Sequence, residues 1–152
     1  MRGGSSLLSS GKSKKLILTW QQWLNKAQDS ITAGQNSLEA GDFASAVSRA
    51  YFAAFQAVTG ALIKRGYQPN SETGNWGHKV TQNQFTILIQ QVRFKRRRLR
   101  REREHFKGLY FYRAFADYGD DSIITTKLAR QLVRESGQVV TLVQKLIEDG
   151  DI

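Results

Sequence analysis

The chain has 152 residues, no cysteine, two histidines, one proline and a formal net charge of +10 at neutral pH. That length supports a single hydrophobic core, the missing thiols exclude a disulfide framework and thiolate metal sites, and two histidines are too few for an ordinary zinc set. No apolar run approaches the ~20 residues that cross a bilayer, and the N-terminus lacks the apolar core of a secretory signal, so the expectation is a cytoplasmic protein with no membrane contact, no metal and no cofactor.

Residues 1–18, rich in Gly, Ser and Lys, read as a disordered basic arm ahead of a helical unit over residues 19–150. A first helix fits Thr19 to Ala40, with Thr19 as cap, Trp20, Trp23, Leu24, Ala27, Ile31 and Leu38 as an apolar stripe, and Gly41 as the stop. Both tryptophans read as core.

Asp42 can cap a second helix from Phe43 to Arg65, closed by Gly66. Phe43, Val47, Ala50, Ala54, Ala57, Val58, Ala61 and Leu62 form one apolar stripe and Phe52 and Phe55 a second, which predicts a central helix. Its many alanines let a neighbouring helix approach closely, either within the fold or from a second copy. Gly66 to His78, with Pro69 and two more glycines, is the longest internal loop.

Two helices follow, at about 79–92 and about 96–118. A last one is expected from Asp121 or Ser122 to about Ile147, with Leu128, Leu132, Val139, Val143 and Leu146 inward. No strand is required, and the class is an all-α, up-and-down bundle of four to five helices.

The charge is uneven. Residues 1–20 hold four bases and no acid; residues 93–104 hold Arg93, Lys95, Arg96, Arg97, Arg98, Arg100, Arg101 and Arg103 against only Glu102 and Glu104; the remainder is neutral. A polyanion would meet these two segments first. The eight bases spread around most of a helix and read as RNA phosphate contacts or as a solvated face; Phe94, Phe106, Tyr110 and Tyr112 beside them read mainly as core.

Near the end of the fourth helical pattern stands Arg113-Ala114-Phe115-Ala116-Asp117-Tyr118. Arg113 and Asp117 are four residues apart on a face led by Leu99, Phe106 and Tyr110, so both charges should point toward a core or an interface. Together with the stretch from Gly41 to Ala54, which contains Arg49-Ala50-Tyr51-Phe52-Ala53-Ala54, this segment resembles the HEPN domain. The likeness covers roughly residues 20–148 and is strongest to the small bacterial and archaeal subfamily with Arg-x-x-Ala-Asp-Tyr, related to HepT-type toxins. The Gly41-Asp42-Phe43 stretch also resembles a tetratricopeptide repeat, but no second copy follows at the required offset of about 34 residues.

The resemblance implies a homodimer with a cleft at its two-fold interface, lined by Arg113, Asp117 and Tyr118, with Arg49, Tyr51 and His78 as further cleft candidates. It also implies a partner, a minimal nucleotidyltransferase, in a toxin–antitoxin-like system, and contact with RNA or nucleotide. Ribonucleases of the family use a helix-borne arginine followed, four to six residues on, by histidine, and need no metal: the histidine moves the proton of the ribose 2′-hydroxyl while arginine holds the scissile phosphate. Here Tyr118 stands at the histidine position. A phenol of pKa near ~10 is a poor base at neutral pH, which favours a binding module over the alternative, an endoribonuclease toxin. Arg100 and Arg98 precede His105 at spacings that also fit the ribonuclease motif, within the polybasic run; otherwise His105 reads as a solvated residue.

Overall fold

A computed structural model describes residues 17–70 and 74–152. Most of the arm expected over residues 1–18, and residues 71–73 of the expected loop, lie outside the described residues. The elements are α1 (Trp20–Glu39), α2 (Phe43–Arg65), α3 (His78–Gln91), α4 (Arg96–Tyr118), a 3-10 turn (Asp121–Ile123) and α5 (Thr126–Glu148), with no strand among the described residues.

Local chemistry sets the ends. Thr19 and Gln22 form a reciprocal capping box at the start of α1, and the Asp42 carboxylate accepts from Ser45 N at the start of α2. Gly66, at φ 108° in the left-handed region, ends α2. The last helix starts later than the sequence suggests. Asp120 accepts from Ser122 N and nucleates the 3-10 turn instead, and the Thr125 hydroxyl accepts from Leu128 N to cap α5.

As the double stripe predicts, α2 is central and packs against α1, α3, α4 and α5. It is the one helix among the described residues long and apolar enough to cross a membrane, but 72% of its apolar window is buried within the bundle. Small residues let α1 lie close against it: a Cβ added at Gly60 would stand 3.2 Å from Trp20 O and 3.3 Å from Trp23 Cβ. Across the bundle Tyr51, Leu62, Phe85, Leu88, Leu99, Phe106, Leu109, Leu132, Leu142 and Leu146 are fully buried.

Chain direction departs from strict alternation at one step. His78 opens α3 beside Tyr51 and Phe55, and Gln91 closes it beside Arg65 and Tyr67, so α3 runs in the same sense as α2. α4 then runs back: its entry residue Lys95 meets Asp149 and Asp151, and its end meets the start of α2. One consequence is that the first residue of α3 and the last turns of α4 arrive at the same part of α2.

Candidate functional site

At that meeting point α2 contributes Arg49, Tyr51, Phe52 and Phe55, α3 contributes His78, and α4 contributes Tyr110, Arg113, Asp117 and Tyr118. Tyr51 is wholly buried, and its hydroxyl lies 2.5 Å from His78 Nδ1. Burial pushes the phenol far above the usual tyrosine range, so it stays protonated. The half-buried His78 ring packs against Tyr51, Phe55 and Tyr110, with centroids 5.4, 5.1 and 5.8 Å away. Its pKa is lowered, first by burial and then by the charge of Arg113. The uncapped positive end of α3, where His78 stands, acts in the same direction.

Arg113 is the cation of the site. Its side chain is 12% exposed, and its Cζ sits 5.5, 5.7 and 5.4 Å from the ring centres of Tyr51, Phe52 and Tyr118, a desolvated setting in which aromatic faces support the charge. Nη2 donates to Tyr118 Oη at 3.4 Å. Nε lies 3.0 Å from Asp117 Oδ2, yet the buried N–H has no aligned acceptor among the described residues. The partly exposed Asp117 carboxylate therefore offsets only part of the guanidinium charge, which still acts on His78, while hydrogen-bonding capacity is left over. Asp117 lies at the margin, where it joins Ala44, Ser45, Ser48, Arg49 and Ala116 around a cleft of about 200 Å³.

The spacing argument thus holds for Arg113, which points inward, and only partly for Asp117, which stays at the surface of the described chain. Arg113, Asp117, Tyr118, Tyr51 and His78 come together, with Arg49 on the rim. Tyr118 is 79% exposed and Phe111 57% exposed; with half-buried Phe115, which packs 5.3 Å from Phe111, they leave an apolar strip on the last turns of α4.

His105 lies elsewhere and is not simply solvated. It faces α5, with Nδ1 2.6 Å from Glu102 Oε1 and Nε2 3.8 Å from Glu135 Oε2. Glu102 is completely buried and also accepts from Arg101 Nε and Nη2 at 3.2 and 3.1 Å. A buried carboxylate must be paired, and His105 is one of its partners. The spacing of Glu102 and His105, three apart on a helix, was the available signal; Glu135 came from a distant segment and was missed.

The polybasic run also divides. Lys95, at φ 62°, is held by Asp151 at 2.6 Å and Asp149 at 3.1 Å, which raise its pKa. Arg101 pairs with Glu102, and Arg103 with Glu104 at 3.3 Å. Arg96, Arg100 and Arg103 line a groove of about 180 Å³ against Ile89 and Gln90 of α3. Lys95, Arg96, Arg97, Arg98 and Arg101 border a wider hollow of about 380 Å³, and Arg93, two residues before Lys95, is exposed. Phe106 is core, Tyr110 and Tyr112 are half-buried, and Phe94 is exposed.

Taken together, these features define an all-α domain with a desolvated arginine among aromatic rings at one end and an arginine-lined groove near the other. The profile of the HEPN domain matches residues 20–146. The chain belongs to the HEPN domain family, whose members are nucleotide- and RNA-related modules. Comparison with curated proteins gives no match.

Proposed function

We propose that this HEPN domain is a homodimeric RNA- or nucleotide-binding regulatory module, of the Arg-x-x-Ala-Asp-Tyr kind related to HepT-type toxins, that works with a minimal nucleotidyltransferase in a toxin–antitoxin-like system. The observation that carries the reading is Arg113: a mostly buried guanidinium, surrounded by Tyr51, Phe52 and Tyr118, with an N–H that no acceptor among the described residues satisfies. Such a group suits a phosphate, whose oxygens take charge-assisted hydrogen bonds. The Phe111, Phe115 and Tyr118 strip beside it supports self-association, since it is the kind of exposed apolar surface that a second copy covers. The arginine groove at the start of α4 supplies sequence-independent attraction for a polyanion.

One observation favours a second reading, a metal-independent endoribonuclease. A histidine, His78, does stand within the field of Arg113, although it comes from another helix than the family motif requires. A single experiment addresses both readings. Wild type and Arg113→Ala are incubated with single-stranded RNA in EDTA, with binding read by fluorescence anisotropy and cleavage by gel. Salt-sensitive binding that weakens in Arg113→Ala without cleavage is expected; cleavage lost in Arg113→Ala would replace this reading with the second, and RNA bound equally by both proteins would remove Arg113 from the function. Light scattering at tens of micromolar tests the dimer, and a monomer there would count against it.

A further inference from the structure

The proposal that Arg113 holds a phosphate leaves open what His78 does beside it, and its bond to Tyr51 decides that. Tyr51 is fully buried, and a buried hydroxyl must donate its proton to something. Among the described residues its one hydrogen-bond partner is His78 Nδ1. The phenol is protonated, because burial opposes phenolate. Nδ1 must therefore be the acceptor, and in a neutral imidazole the proton then resides on Nε2. Burial and then the charge of Arg113 oppose a second proton. His78 Nε2–H has no protein acceptor among the described residues and is not among the buried unpaired atoms.

We propose that Tyr51, His78 and Arg113 form a phosphate-recognition site in which Tyr51 locks the imidazole tautomer, His78 donates one hydrogen bond from Nε2 and Arg113 supplies the charge. The ligand class is a phosphate monoester or diester: an anion with several acceptor oxygens, small enough to touch a guanidinium and an imidazole that share the Tyr51 and Phe52 rings. In this arrangement His78 is a donor and not a proton-abstracting base, since the ring nitrogen that could accept is occupied by the phenol. The inference rests on the reading of Arg113 as a phosphate ligand and adds to it the role and tautomer of His78.

The first test leaves Tyr51, His78 and Arg113 unaltered. The chain has only two histidines, so 15N-labelled protein gives separable imidazole signals, with His105→Gln assigning them. A protonated Nε2 and unprotonated Nδ1 at His78 are expected at neutral pH; the opposite tautomer overturns the proposal. Adenosine, adenosine 5′-monophosphate, inorganic phosphate and a single-stranded oligoribonucleotide are then titrated in turn. The His78 Nε2–H signal should move with phosphate-bearing probes and not with adenosine, and the tighter of mononucleotide and oligonucleotide identifies the source of the phosphate.

His78→Ala should weaken the tighter probe about tenfold, the scale of one charge-assisted hydrogen bond. His78→Gln, whose amide N–H falls near the position of Nε2–H, should weaken it less than about threefold, which a base would not permit for turnover and a purely structural role would not predict for the alanine. Equal loss in both variants, or no loss in either while wild type binds RNA, overturns the His78 assignment and leaves Arg113 standing. Failure of wild type to bind any phosphate-bearing probe at low salt overturns both.

Discussion

The two histidines occupy contrasting environments, although neither was separable from the other by residue type. His78 leans on a neutral phenol, sits among aromatic rings and feels a cation; His105 leans on the buried Glu102 carboxylate, with a second carboxylate, Glu135, beyond it. One environment excludes charge from the ring and the other offers it anionic partners. The contrast separates the histidine of the proposed phosphate site, which opens α3, from one that ties α4 to α5.

The comparison breaks most visibly at Glu102. Its side chain is 0% exposed and bonded to both His105 and Arg101, so Glu102→Ala should lower unfolding stability by about 2–3 kcal/mol in urea melts, while leaving phosphate binding at Arg113 unchanged in the folded fraction. An equal loss of binding would mean that the two sites are one. The next effect is at Arg113: replacement by alanine should weaken single-stranded RNA by about 2 kcal/mol, near 30-fold, the worth of hydrogen bonds to a charged group, with a smaller change in stability.

Acid sharpens the contrast. The folded-state pKa of His78 is depressed, so the unfolded chain binds the proton more readily, and stability contributed by the neutral ring is present above the ordinary value near ~6.5 and is lost as pH falls through the folded pKa. Melting temperature should drop in that window, and His78→Gln should remove this part of the drop. A pH profile indistinguishable between wild type and variant would show that His78 is not held neutral by its surroundings.

The smallest effects belong to the basic run. Arg96→Ala and Arg100→Ala, in the groove against α3, should each reduce the log–log salt slope of single-strand binding by about 0.7, whereas Lys95→Ala, whose charge is already engaged by Asp149 and Asp151, should leave the slope unchanged. Equal slopes for all three variants would remove the distinction between bases held by a carboxylate and those with no acidic partner among the described residues.

Much of this architecture was readable from local pattern. The caps at Thr19 and Asp42 and the glycine stop at Gly66 all follow from neighbours within four residues, and the central place of α2 follows from its two apolar stripes. The start of α5 was misread because Asp121 and Thr125 are both plausible starts, and only the side chain of Thr125 reaches a helix amide. At the site, Arg113, Asp117 and Tyr118 share one helix, and their neighbourhood could be inferred from spacing. The Tyr51–His78 bond could not, because it joins residues 27 apart in sequence and exists only because α3 runs in the same sense as α2. The Glu135 contact with His105 was hidden for the same reason, since it depends on how α4 and α5 align.

α3 is the shortest of the five helices, begins without a side-chain cap, packs mainly on α2 and α4, and turns Val80 and Ile87 toward solvent. In terms of local opening it is the segment expected to detach at the lowest free energy, and its amides should exchange with deuterium before those of α2. His78 is its first residue, so an anion that engages the imidazole also fastens the loosest part of the bundle. Binding should then appear as slowed exchange along α3, with α2 unaffected, and uniform exchange across all helices would refute this coupling. The domain would thereby report an occupied site through the persistence of one short helix.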